Sequence, residues 1–193
     1  MIIGVTGGIG TGKTAFSEFL GIAGARLIIA DDLVHELYEK DESLIKAIGE
    51  RFGSETVRNG MVDRTKLSEV VFGNMEKLKK LNRLVHKRVG EEIASRIHRQ
   101  EGENLIVIDA PIPVKRGFLE FCDKVVVLKS SRDKRIERIK KRSGLTGEQI
   151  EKVFRAQPDD REYEKIADIV IENNGSLDEL KDKAVSVIKE LSP

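Results

Sequence analysis

The eight residues Gly7-Gly8-Ile9-Gly10-Thr11-Gly12-Lys13-Thr14 constrain this chain more than any others. They match the pattern Gly-x-x-x-x-Gly-Lys-Ser/Thr and stand between a short apolar run, Ile2-Ile3-Gly4-Val5, and a segment of helical period that starts at Lys13. Four glycines within six positions let successive backbone N–H groups turn towards one centre without Cβ clashes. A helix that starts there adds the partial positive charge of its N-terminus. Strand, glycine loop and helix in that order make a phosphate-binding P-loop, whereas a glycine-rich turn that spells the motif by chance would lack the flanking elements. The loop assigns Gly8, Ile9, Gly10, Thr11, Gly12, Lys13, Thr14 and Ala15 to a nucleoside triphosphate. Lys13 bridges its β- and γ-phosphates, and the Thr14 hydroxyl ligates Mg²⁺.

The other strand candidates are Arg26-Leu27-Ile28-Ile29, Leu105 to Ile108, Lys124 to Leu128 and Ile169-Val170-Ile171. Each run is nearly continuous in apolar residues, the pattern of parallel strands covered on both faces. Segments of helical period separate them, among them Lys13 to Leu20, Asp31 to Tyr38 and Leu177 to Leu191. The pattern predicts an α/β fold, a doubly wound five-stranded parallel sheet of P-loop type. From Asp41 to Glu101 no strand signal interrupts a series of amphipathic helical spacings, so an all-helical insertion is expected there. Within it, Gly53 to Asp63 is polar and carries an Asn59-Gly60 turn signal.

At 193 residues, 39% hydrophobic and 35% charged with a net charge of +1, the chain reads as one soluble domain with an insertion. No basic block stands apart from acidic neighbours, so nucleic acid is not an expected partner. No basic leader with an apolar core opens the chain, and no run approaches the roughly 20 apolar residues of a membrane span. A cytoplasmic location without membrane contact is the expectation. Cys122 is the only cysteine and reads as a small buried apolar residue. His35, His86 and His98 show no metal-ligand spacing, and His86 is the one singled out as a candidate. Nothing in the sequence fixes an oligomeric state.

Ligands of such sheets bind beyond the carboxyl ends of the strands. Asp31 and Asp32 follow the second strand, where a carboxylate serves either to take a proton from an attacking hydroxyl or to hold magnesium-bound water. The same residues also suit an N-cap for a helix starting at Leu33. Asp109 ends the third strand and is a second carboxylate for magnesium or substrate; Ala110-Pro111-Ile112-Pro113 then forces an extended segment. Arg138 and Arg142 lie four apart on a basic helix, a pair suited to a lid that closes over a triphosphate, with Ile136 and Ile139 turned inward. Asn173-Asn174-Gly175-Ser176 reads both as a turn with a helix cap and as a backbone loop that contacts adenine. A dinucleotide-binding Gly-x-Gly-x-x-Gly fails because Lys13 occupies the third glycine's place, and the Asn-Lys-x-Asp of conventional GTPases is missing.

These residues together resemble the dephospho-CoA kinase family, nearly end to end. The resemblance is carried by Gly4-Val5-Thr6 with the P-loop, by Leu67 to Val71-Phe72, and by Leu81-Asn82 with Leu84-Val85-His86. Most distinctive are Arg155-Ala156-Gln157 and Lys165-Ile166-Ala167-Asp168 through Asn173-Asn174-Gly175. The resemblance implies transfer of phosphate from ATP, with Mg²⁺, to the ribose 3′-hydroxyl of dephospho-CoA, the last step of coenzyme A synthesis. It implies a nucleoside monophosphate kinase-like chain: a core of residues 1–40, 102–130 and 166–193, a helical acceptor (CoA) domain at about 41–101, and a lid at about 131–165. Catalysis falls to Asp31, Lys13, Arg138 and Arg142; Asn174 and Gly175 join the nucleotide site; Thr6, Asp31, His86, Asp109 and Pro111 face the acceptor. Magnesium sits on Thr14, with water-mediated help from Asp31 or Asp109. The sequence departs from the family's usual pattern at Ile29, Lys87, Pro113 with Lys115, and Ser143, most of them on the acceptor side. Two rivals share the P-loop: a kinase for another nucleotide, and a regulator that binds nucleotide without transferring phosphate.

Overall fold

The computed structural model describes residues 1–99, 105–110 and 118–191. The chain divides into two compact units, one of Met1–Ile29 with Gln100–Pro193 and one of Ala30–Arg99.

The first unit is built on a parallel sheet of β1 (Ile2–Thr6), β2 (Arg26–Ile29), β5 (Ile106–Asp109), β6 (Lys124–Lys129) and β7 (Ile169–Glu172), in the spatial order β2-β5-β1-β6-β7. All four pairings are parallel. β1 is central, and connections leave it towards both sides, which makes its carboxyl end the place where such sheets bind ligands. Helices α1 (Lys13–Ile22) and α9 (Leu177–Leu191) belong to this unit, as do α6 (Arg132–Ser143), α7 (Gly147–Ala156) and α8 (Asp160–Glu164).

Both faces of the middle strands are buried, which is why they read as unbroken apolar runs. Ile3, Val5, Val126 and Leu128 pack with Phe16 and Leu20 of α1 and with Leu180, Ala184 and Val187 of α9. Alternate β6 residues, Val125 and Val127, face the other way and meet Tyr163 of α8, with Cys122 against them. β7 departs from the expectation of cover on both faces, because it is an edge strand: Val170 stays 44% exposed while its neighbours Ile169 and Ile171 pack inward. Asp168, just before β7, donates its N–H to Val125 O and accepts the Val125 N–H at 2.8 Å, so it fastens the starts of β6 and β7 together.

The second unit contains α2 (Ala30–Lys40), α3 (Glu42–Phe52), α4 (Arg64–Val71) and α5 (Met75–Arg99). Leu44, Ile45, Ile48, Phe52, Leu67, Val71, Leu81, Val85, Val89 and Ile93 are among its buried side chains, at helical spacings. Asp41 caps α3 by accepting from Leu44 N–H at 3.0 Å, and Asp63 caps α4 by accepting from Lys66 N–H at 3.0 Å. The insertion is not all helical. β3 (Val57–Arg58) and β4 (Met61–Val62) pair antiparallel around Asn59-Gly60, with φ of 53° and 75° at those residues. Two positive φ values define the type I′ turn that joins strands this closely, so the turn signal was a hairpin signal.

Two boundaries differ from the sequence reading. α2 starts at Ala30, so Asp31 and Asp32 lie inside its first turn and do not cap a helix at Leu33. α2 also groups with the helical unit, earlier in the chain than the expected boundary near Asp41. Among the described residues no helix is long and apolar enough to cross a membrane.

Candidate active site

The loop between β1 and α1 shows one regular feature. Five consecutive carbonyls, Gly7 to Thr11, each accept a hydrogen bond from a side chain. Gly7 O accepts from Lys13 Nζ at 2.8 Å, Gly8 O from Thr11 Oγ1 at 2.8 Å, and Ile9 O from Arg135 Nε at 2.8 Å. Gly10 O accepts from Arg138 NH1 at 3.3 Å, and Thr11 O from Asn173 Nδ2 at 2.9 Å. A trans peptide plane carries its C=O and the next N–H on opposite edges. Each held carbonyl therefore sets the direction of the amide that follows it. The Ile9 N–H goes to Gln157 Oε1 and the Thr11 N–H to Gly8 O, so the Gly8, Gly10 and Gly12 amides are those left for an anion. Gly12 precedes α1 with φ +95°, a left-handed conformation that only glycine adopts freely, and a Cβ there would meet Asn173 Nδ2 at 2.3 Å.

Lys13 and Thr14 open α1, so the nucleotide end of the site coincides with a helix N-terminus. Lys13 reaches back over the loop, and Thr14 and Ala15 follow it in the first turn, Thr14 exposed. Thr6 ends β1 fully buried, and among the described residues its hydroxyl has no hydrogen-bond partner. Asp109 is buried at the end of β5, level with Val5 of β1 and Ile29 of β2. The same sheet edge thus holds the P-loop and a carboxylate, as the sequence predicted.

α6 meets the loop differently from expectation. Arg138 and Arg142 share a helix, but their surroundings separate them. Arg138 bonds Gly10 O, Ser130 Oγ at 3.1 Å and Asn173 O at 2.9 Å, so it braces the loop against the end of β7. Arg142 is exposed in the last turn. Ile139 is buried as predicted, and Ile136 is half-buried. Asn174 Oδ1 accepts from Ser131 N–H at 2.8 Å, Ser176 Oγ accepts from Glu179 N–H at 3.2 Å, and Gly175 stands between them. The Asn173–Ser176 stretch is therefore both a helix cap and an anchored loop beside the P-loop.

Arg135 and Gln157 had no role in the sequence reading, and Asn173 entered it only as part of a turn or adenine loop. Arg135 holds Ile9 O, pairs with Asp160 at 3.0 Å and stacks 4.7 Å from the Phe154 ring centroid. Gln157, at the C-cap of α7, accepts the Ile9 N–H at 2.8 Å. Asn173 is buried and reaches across to Thr11. A cleft of about 380 Å³ is lined by Arg132, Arg135, Phe154, Gln157 and Asp160 among others. Gln157 and Asn173 were visible as unusual motif letters, but only the fold shows what they touch.

The remaining candidates lie in the second unit. Asp31 and Asp32 are exposed in the first turn of α2, where a helix dipole favours carboxylates. His86 is exposed on α5, and desolvation by its surroundings holds its imidazole below the usual histidine pKa. Pro111 lies outside the described residues, as do Pro113 and Lys115. Lys87 is exposed on α5 and lies 3.9 Å from Glu91.

A family model for dephospho-CoA kinase matches residues 1–179. A dephospho-CoA kinase of Fusobacterium nucleatum is 37% identical over 181 residues, 93% of either chain. A crystal structure from Thermus thermophilus superposes with a TM-score of 0.82 at 30% identity, covering 100% of this chain and 98% of that one. A dephospho-CoA kinase from Campylobacter jejuni superposes with a TM-score of 0.75 at 27% identity, covering 99% of this chain and 96% of that one. By sequence along nearly its whole length and by fold, the chain belongs to the dephospho-CoA kinase family.

Proposed function

We propose that the chain transfers the γ-phosphoryl group of ATP to the ribose 3′-hydroxyl of dephospho-CoA, giving coenzyme A and ADP. The observation that carries phosphoryl transfer is the row of five carbonyls held by side chains, which fixes the shape of the glycine loop next to Lys13 and the start of α1. Family membership supports the choice of acceptor.

The 3′-oxygen attacks the γ-phosphorus, the bond to the β–γ bridging oxygen breaks, and ADP leaves with that electron pair. Asp31 takes the hydroxyl proton. Lys13 exchanges Gly7 O for phosphate oxygens and, with Arg142, balances the charge that spreads over the transferring group. Arg138 keeps the loop and the Asn174-Gly175 turn together beneath the nucleotide. Thr6, His86, Asp109 and Pro111 are assigned to the acceptor. Magnesium fits the donor set: the exposed Thr14 hydroxyl and, through water, the Asp109 carboxylate are hard oxygen ligands, and the rest come from the phosphates. Bound there, the ion would neutralise phosphate charge and align the leaving group. The reading places the enzyme in the cytoplasm, acting on small molecules.

ADP release with ATP and a panel of nucleotide acceptors tests the assignment. Dephospho-CoA should be required for turnover, and product analysis should show the phosphate on the 3′-oxygen. Turnover that ignores dephospho-CoA but follows another nucleotide would overturn the acceptor; no acceptor-dependent turnover at all would overturn the kinase reading.

A further inference from the structure

We infer that Gln157, together with Arg135, is a positioning residue for ATP, acting on the nucleotide through Ile9. The inference rests on the P-loop being the ATP site and adds to it the side chains that set its shape.

Two rigid peptide planes meet at the Cα of Ile9. The Gly8–Ile9 plane is held at both edges: Thr11 Oγ1 donates to its carbonyl at 2.8 Å, and its N–H donates to Gln157 Oε1 at 2.8 Å. The Ile9–Gly10 plane is held at its carbonyl by Arg135 Nε at 2.8 Å, which turns the Gly10 N–H the opposite way. Gln157 and Arg135 thus fix the orientation of the planes on either side of Ile9, and with them the direction of the Gly10 N–H. Neither side chain is local, since they lie 148 and 126 residues from Ile9.

Arg135 is itself fixed. Its other guanidinium nitrogen pairs with Asp160 at 3.0 Å, its face stacks on Phe154, and its side chain is only 11% exposed. Its backbone lies so close to the loop that a Cβ on Gly10 would meet Arg135 O at 2.9 Å. Gln157 follows Phe154 by three residues and ends the same helix, so one structural unit, α6 to α8, presents both groups. What Ile9 needs from Gln157 is an acceptor oxygen. The amide nitrogen of Gln157 takes no part in this bond, and the cleft also holds the cationic Arg132 and Arg135.

The test compares wild type with Gln157→Leu, which removes the acceptor, and Gln157→Glu, which keeps it. Readouts are the Kd of a fluorescent N-methylanthraniloyl ADP, KM for ATP, KM for dephospho-CoA, kcat and ligand-free Tm. Loss of one partner of a part-buried hydrogen bond predicts a rise of about 3- to 10-fold in nucleotide Kd and KM for Gln157→Leu. KM for dephospho-CoA should stay at the wild-type value, and Gln157→Glu should restore nucleotide affinity at pH 8. Unchanged nucleotide affinity in the folded Leu variant overturns the inference. So does a Glu variant as weak as Leu, or a loss spread equally over both substrates. Should Gln157→Leu fail to fold, Gln157→Asn, whose shorter arm withdraws the oxygen, takes its place with the same expectations. The ADP measurement needs no acceptor, so a wrong acceptor assignment would fail separately.

Discussion

The side-chain amide of Asn173 donates a 2.9 Å hydrogen bond to the carbonyl of Thr11, joining the end of β7 to the nucleotide loop. Asn173 also receives Arg138 on its own carbonyl, so one buried residue ties together the loop, α6 and the last strand. Asn173→Ala leaves Thr11 O without its side-chain donor and removes the 3.3 Å bond from Arg138 NH2 to Asn173 Oδ1, while the backbone carbonyl still accepts from Arg138. We expect a loss of about 1–3 kcal/mol in stability, read from urea unfolding by circular dichroism, and weaker stabilisation by added ADP. Gly12→Ala should abolish nucleotide binding more completely, because strain at φ +95° adds to a clash with Asn173.

Lys13→Ala and Asp31→Asn separate chemistry from scaffold. Asp31→Asn should leave Tm within a few degrees of wild type, because Asp31 is exposed, whereas Lys13→Ala removes the donor to Gly7 O and Gly8 O. Acceptor-dependent kcat should fall by about 10²- to 10³-fold in Lys13→Ala and about 10²- to 10⁴-fold in Asp31→Asn. Full activity in Asp31→Asn would remove it from the base role.

Arg138 and Arg142 should behave as different kinds of residue. Arg138→Ala strips donors from Gly10 O, Ser130 and Asn173, so thermal stability and nucleotide affinity should fall together. Arg142→Ala changes an exposed side chain, so stability should move by no more than about 0.5 kcal/mol. If it meets the transferring phosphate, kcat alone should drop about tenfold or more.

Acid should weaken the helical unit through Asp41. Burial pushes its carboxyl pKa up, but bonds from Ser43, Leu44 N–H and Arg88 outweigh burial and hold it below the usual value of 3.8. A depressed folded pKa means stability that is complete above the unfolded value and lost as pH falls through the folded one. Unfolding followed by circular dichroism from pH 7 down to pH 2 should show the loss below about pH 4, and Asp41→Asn should flatten that limb. Asp41→Ala at pH 7 should cost about 1–2 kcal/mol, chiefly the lost α3 cap.

Cys122 should be inert. Burial first, and the Asp123 charge second, push its thiol up to about 12. At pH 8 that leaves roughly one molecule in ten thousand as thiolate, against a substantial fraction for a free cysteine. Iodoacetamide labelling should be very slow in the folded protein and become ordinary in urea. Fast labelling of folded protein would contradict the packing against Val125, Val127 and Tyr163.

The sheet was legible because its chemistry is local. Each of the five expected strands appears within a residue or two of its apolar run, and the P-loop lies between its strand and helix. Asp109 was legible for the same reason: a carboxylate that ends an apolar run sits at the sheet edge. Arg135, Gln157 and Asn173 were not legible as loop supports, since their partners are more than a hundred residues away and their bonds are to backbone, which carries no sequence signal. Arg138 was expected in a lid over the triphosphate, and a helix wheel cannot show that its guanidinium bonds Gly10 O, Ser130 Oγ and Asn173 O. The hairpin at Asn59-Gly60 was missed because two-residue strands offer too little alternation to register as a period.

The donors to the five carbonyls have a consequence for synthesis of the chain. Thr11 and Lys13 emerge with the loop, but Arg135, Arg138 and Asn173 follow only after most of the protein has been translated. A nascent chain that exposes the glycine motif therefore has its letters without its shape. Three of the five carbonyl supports are thus supplied by the last third of the sequence. The loop's shape is complete only with the last strand, where Asn173 reaches Thr11.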